Sequence, residues 1–201
     1  LPNCPTFSIA PVLRPARAIG GDLYDIFFLD PDHLLLMVGD DPAAKSSTVP
    51  AASERSLAAM NIPVFFPRTA AEIVAFGLYG VALSRASGCP SALKLNADVA
   101  DGLWTLDRDF GHFDITVPEL AWQGRPWTYR QRVMAAPTDS VLAEADLYGP
   151  RWAMVRAFND ANDIDRIEVD PADAWLGIVA VGTAYDSVRQ ALSDLGLDDA
   201  E

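Results

Sequence analysis

The segment from Thr69 to Gly88 constrains this chain more than any other. Thr69-Ala70-Ala71-Glu72 is a capping box, in which hydroxyl and carboxylate satisfy orphan amides at a helix start. Gly88 stands where a helix needs its left-handed stop. Between them the apolar run Ile73–Leu83 puts hydrophobic side chains on nearly every helical face. Such a helix has to be covered on several sides, so the fold must be layered around it. The run is too short to span a bilayer, which takes about 20 residues.

Other elements follow from periodicity and punctuation. Leu23–Leu29 and Leu34–Val38 flank Asp30-Pro31-Asp32-His33, a hairpin signal. A short helix is predicted over Ala51–Met60, and strands over Ile62–Phe66, Ala92–Ala97 and Phe113–Val117. The stretch Pro118–Pro137 lacks periodicity and reads as a linker packing through Trp122 and Trp127. Helical pattern resumes at Ser140, is interrupted at Gly149-Pro150, and runs to about Asp160. Ile164–Val169 and Leu176–Val181 read as strands, the second apolar throughout as in a parallel sheet. Gly182 then turns into a helix over Thr183–Leu195, ended by Gly196. Strand, glycine and helix in that order make the class α/β.

Charge narrows the partners. The net charge is −13, and the excess lies in the second half: residues 1–100 hold 7 Lys/Arg against 9 Asp/Glu, residues 101–201 hold 8 against 19. That balance argues against nucleic acid, which needs a basic face to displace counterions. Cys4 and Cys89 are too few for a disulfide framework or an iron–sulfur cluster. His33 and His112 have no partner at metal-ligand spacing. With no basic segment or apolar signal core at Leu1-Pro2-Asn3-Cys4-Pro5, a cytoplasmic protein that does not span a membrane is expected. A first residue of Leu rather than Met suggests a piece of something longer.

Three stretches carry a family likeness. They are Gly39–Glu54; Ile62-Pro63-Val64 with Ala71-Glu72-Ile73 and Gly77–Gly88; and Ala157–Asn162 with Asp165-Arg166-Ile167, Leu176–Val179, Val188–Leu192 and Asp194–Leu197. In order and spacing, residues 39–199 resemble the thiamine-diphosphate large subunit of indolepyruvate ferredoxin oxidoreductase. The resemblance implies oxidative decarboxylation of aryl 2-oxoacids, with thiamine diphosphate, Mg²⁺, iron–sulfur clusters and ferredoxin. It also implies a partial pyrimidine-domain-like sheet followed by a transketolase-C-like α/β element, here with an N-terminal β-hairpin. The family's activating glutamate, diphosphate/Mg²⁺ domain and cluster cysteines have no counterpart in this sequence. Other oxidoreductase domains or subunits are therefore implied, and the chain is expected to be inactive alone. In the Gly-Asp-Asp loop, Lys45, Ser46, Ser47 and Thr48 could bind an anion, and Asp40 and Asp41 a cation through water. Without the cofactor domains, the favoured reading of these residues is an ordered connection whose hydroxyls cap the next helix.

A second likeness covers residues 7–40. Arg14-Pro15-Ala16, Ile19–Asp25 and Val38-Gly39-Asp40 resemble the opening of the sporulation/stress-response branch of metal-dependent Ser/Thr phosphatases. That resemblance implies that Asp22 and Asp40 hold Mn²⁺ or Mg²⁺ to activate a water. The family's late Asp-Gly metal motif has no match, and Asp22 and Asp25 could equally face solvent at a strand edge. The expected organisation is a phosphatase-like hairpin (1–40), a pyrimidine-domain-like segment (41–117), a linker (118–138) and a transketolase-C-like segment (139–201). A non-catalytic α/β interaction module is the third reading.

Overall fold

The computed structural model describes residues 23–30, 33–39, 53–106, 113–132, 136–172, 174 and 176–197. Two compact units divide the chain: Leu1–Ser53 with Lys94–Leu103, and Glu54–Leu93 with Trp104–Glu201.

In the first unit, β1 (Leu23–Asp30) and β2 (His33–Gly39) form the expected antiparallel hairpin. Its register runs from Leu23 opposite Gly39 to Asp30 opposite His33, with an irregularity between Phe28 and Asp30. The same unit contains α3 (Ala97–Ala100). Its start is set by Asn96, whose side-chain Oδ1 accepts the Val99 amide at 3.1 Å. A strand over Ala92–Ala97 was the expectation there; only Ala92–Leu93 is extended and paired, because the Asn96 cap starts a helical turn.

The second unit is built on a parallel crossover. After α1 (Glu54–Ala59), β3 (Val64–Phe65) leads through α2 (Ala70–Ser87) to β4 (Ala92–Leu93), which pairs parallel to β3. This strand–helix–strand arrangement makes the fold mixed α/β. The start of α2 follows the sequence with one change. Thr69 Oγ1 accepts the Glu72 amide at 3.2 Å, but the Glu72 carboxylate accepts the Arg68 amide, one residue before the cap. At the other end Gly88 adopts φ 72° and donates its N–H to Ser84 O at 2.8 Å. A side chain here would also strike Tyr129, whose ring lies 2.1 Å from the position a Cβ would take. Only glycine meets both demands.

A hydrophobic core forms where α2 meets α5 (Trp152–Ala161). Leu83, Cys89, Val155 and Phe158 are buried there with Phe65 of β3. Phe158 is fully buried and meets the Tyr79 ring edge-on, centroids 6.4 Å apart. Coverage of α2 is incomplete: Val74 and Leu78, one turn apart, are each 40% exposed. The helix is therefore covered on several sides, as expected, and stays open along one stripe.

Residues 118–138 hold more structure than a linker. Strands β5 (Leu120–Trp122) and β6 (Arg125–Trp127) form a tight antiparallel hairpin. Gln123 and Gly124 make its turn with φ of 51° and 76°, the paired left-handed conformation that matches strand twist. Helix α4 (Pro137–Asp146) follows, then a distorted turn Leu147–Arg151 and α5. The distortion centres on Gly149 (ψ −109°), before Pro150, which has no N–H to continue the helical ladder.

Three predicted strands do not form. Phe113–Val117 is irregular; in place of a neighbouring strand, Asn162 clamps Thr116 through both its backbone groups at 2.8 Å. Neither Ile164–Val169 nor 176–181 pairs with another described strand, and the latter stretch is exposed, Val179 at 95%. Apolar composition supplied the strand signal, but a strand needs a partner edge. Helix α6 (Thr183–Asp194) then begins at Gly182 as expected. Gly182 lies against the Phe66 ring, 2.8 Å from where a Cβ would stand, so α6 starts beside the end of β3.

Candidate functional site

Asp22, Asp40, Asp41, Lys45, Ser46 and Ser47, the residues singled out from sequence, lie outside the described residues. The nearest described geometry is the hairpin ladder, which brings Leu23 opposite Gly39.

Two arginine-centred clusters stand out in the second unit. In the first, Arg68 sits between the starts of α2 and α6. Its Nε donates to Glu72 Oε1 at 3.0 Å and its Nη1 to Asp186 Oδ1 at 2.6 Å. The guanidinium carbon also stands 4.9 Å from the centre of the Tyr185 ring. Partial burial works to lower the Arg68 pKa, but the Asp186 hydrogen bond and the charges of Glu72 and Asp186 outweigh it, leaving it raised. Arg68 stays charged at every working pH and pins the two helix starts together.

The second cluster joins the hairpin exit to the α4–α5 bend. Arg151 donates from Nε to Ser87 O at 3.2 Å and from Nη2 to Gly88 O, capping the end of α2. Its guanidinium lies 5.4 Å from the Tyr129 ring centre. Nearby, Arg132 Nη2 donates to Asp146 Oδ2 of α4 at 2.7 Å. Trp127, Tyr129, Arg130, Arg132, Asp146 and Arg151 line an open cavity of about 360 Å³. Arg130 is exposed and has no ion-pair partner among the described residues.

Chemically, the second cluster can do more than the first. The charge of Arg68 is compensated by two carboxylates, whereas the cavity exposes guanidinium groups beside aromatic rings. Among the described residues, no group of three or more His, Cys, Asp or Glu side chains could hold a metal ion. Nor is any described helix long and apolar enough to cross a membrane. The sequence around Trp122 and Trp127 shows no period and reads as a linker. The missed signal was Gln123-Gly124 between two short apolar-ended runs, hidden by Pro126 within the second strand. No sequence signal pairs Arg151 with the end of α2, a contact between residues more than 60 positions apart.

No family model matches the chain. Neither curated proteins nor solved structures give a match.

Proposed function

We propose that this chain is a partial scaffold related to indolepyruvate ferredoxin oxidoreductase, inactive alone and completed by other domains or subunits. The supporting observation is an unfinished parallel sheet. Strands β3 and β4 are two residues each, with α2 as their crossover. Parallel sheets are stable when several strands are stacked between covering layers. Here the apolar stretch 176–181 is exposed, and it ends at Gly182 against Phe66, immediately after β3. Val74 and Leu78 of α2 are partly uncovered as well. An added strand layer would account for all three features at once. In this reading the completing domains would hold thiamine diphosphate and Mg²⁺ and would supply the iron–sulfur clusters and the contact with ferredoxin.

The test is calorimetry with thiamine diphosphate and Mg²⁺, followed by turnover of indolepyruvate with ferredoxin. The isolated chain should give no saturable heat and no turnover, and co-expression with the complementary oxidoreductase domains should restore both. Turnover by the purified chain without any addition would end this reading.

One observation favours a second reading, a metal-dependent phosphatase. Asp22 and Asp40 directly adjoin, in sequence, the last described pair of the hairpin, Leu23 and Gly39. The phosphatase resemblance implies that these two carboxylates hold Mn²⁺ or Mg²⁺. Manganese-dependent hydrolysis of p-nitrophenyl phosphate, lost in both Asp22→Ala and Asp40→Ala, would favour it over the oxidoreductase scaffold.

A further inference from the structure

We infer that the cavity beside the β5–β6 hairpin binds a small molecule through a compact oxyanion, a phosphate or carboxylate group. The inference stands independently of the oxidoreductase reading, since none of its residues belongs to the stretches that carry that likeness. Residues 101–201 hold 19 acidic side chains and 8 basic ones, every one of them arginine. Three of these arginines, Arg130, Arg132 and Arg151, line one cavity whose only acidic lining residue among those described is Asp146. In a strongly acidic half, that leaves two positive charges in excess at a single concave place. Such a place draws anions while the surrounding surface repels them.

The guanidinium groups are also held ready. Arg151 is fixed by two backbone carbonyls and the Tyr129 ring, and Arg132 by Asp146. A guanidinium carries five N–H donors. The bonds described use two on Arg151 and one on Arg132, so both retain donors without further ordering. Planar, pre-positioned forks suit the oxygens of phosphate and carboxylate better than lysine would. Structural anchoring explains Arg132 and Arg151 but not Arg130, which is exposed, lacks an ion pair among the described residues, and lines the same cavity. Trp127 and Tyr129 add apolar wall. The cavity of about 360 Å³ falls at the small end of the range typical of small-molecule sites.

Calorimetric titration of the full 201-residue chain with phenyl phosphate and with benzoate, at constant ionic strength, tests the inference. Saturable binding should appear below about 10 mM for at least one probe. Tighter binding of phenyl phosphate identifies a phosphate ligand, and tighter binding of benzoate a carboxylate. Arg130→Gln should weaken the better probe about tenfold or more, the loss of one charged hydrogen-bonding partner. Arg166→Gln, at an exposed pair with Glu168, should leave it unchanged. If Arg130→Gln shifts the melting temperature, Arg130→Lys takes its place, and a smaller loss of affinity is then expected. Absence of saturable binding, equal weakening in the Arg130 and Arg166 variants, or tighter binding of oligothymidylate than of either probe would each overturn it.

Discussion

Replacing Gly88 with alanine should destabilise this protein by about 3 kcal/mol, and the figure follows from two features of one position. Gly88 has φ 72°, and placing an L-residue in that left-handed region costs about 1–2 kcal/mol. The new Cβ would lie 2.1, 2.2 and 2.5 Å from three carbons of the Tyr129 ring. A ring cannot slide aside as a flexible chain end can, so Tyr129 must rotate or the end of α2 must shift. Overpacking of this kind costs about 1–3 kcal/mol. Moving Tyr129 also removes the ring from Arg151, worth about 0.5–1 kcal/mol at an exposed site. Against these stands the reduced entropy of the unfolded chain, a gain of about 0.4–1 kcal/mol for Gly→Ala. The net loss should lower the melting temperature by about 10 °C, read by circular dichroism. Gly77 supplies the control. It lies mid-way along α2, where an added methyl would meet nothing within 4 Å, so Gly77→Ala should stabilise by up to about 1 kcal/mol. The double variant Gly88→Ala/Tyr129→Ala should recover part of the loss, since the two residues share one clash. A Gly88→Ala protein within about 0.5 kcal/mol of the parent would refute this account of the helix end.

Three further outcomes are expected. Arg151→Lys should cost about 1–3 kcal/mol by chemical denaturation, because an ammonium cannot hold Ser87 O and Gly88 O in one fork while stacking on Tyr129. Val179→Lys, at a side chain 95% exposed, should change the melting temperature of the isolated chain by less than about 2 °C, yet, on the proposed scaffold reading, abolish pull-down by complementary oxidoreductase domains. Burial lowers the Lys94 pKa below its ordinary 10.5, so the folded state disfavours the ammonium form. Below that lowered pKa the folded chain bears the full penalty, and stability should recover as pH rises from it towards 10.5, a trend that Lys94→Met removes. Melting temperatures measured between about pH 8 and 11 would show it.

How much could be read in advance depended on whether the cause was local. The limits of α2 were legible because Thr69 and Gly88 act within one turn of their own helix. The β1–β2 hairpin was legible for the same reason, its turn residues standing between two apolar runs. The stretch 176–181 was misread because its apolar run reports a wish for burial, while strand formation needs another edge in reach. The candidate cavity was invisible because its members come from the hairpin exit, α4 and the bend before α5. Their one-dimensional arrangement carries no period.

From sequence alone came the start and stop of α2, the glycine that opens α6, the acidity of the second half and the mixed α/β class. All of these rest on backbone geometry or charge, which neighbours in the chain set among themselves. Tertiary structure alone decided which stripe of α2 stays open and that β3 and β4 pair in parallel. It alone placed Arg130, Arg132 and Arg151 around one cavity. Those outcomes depend on which distant surfaces meet, and burial and pairing are rewarded only after the chain has closed the loops between them.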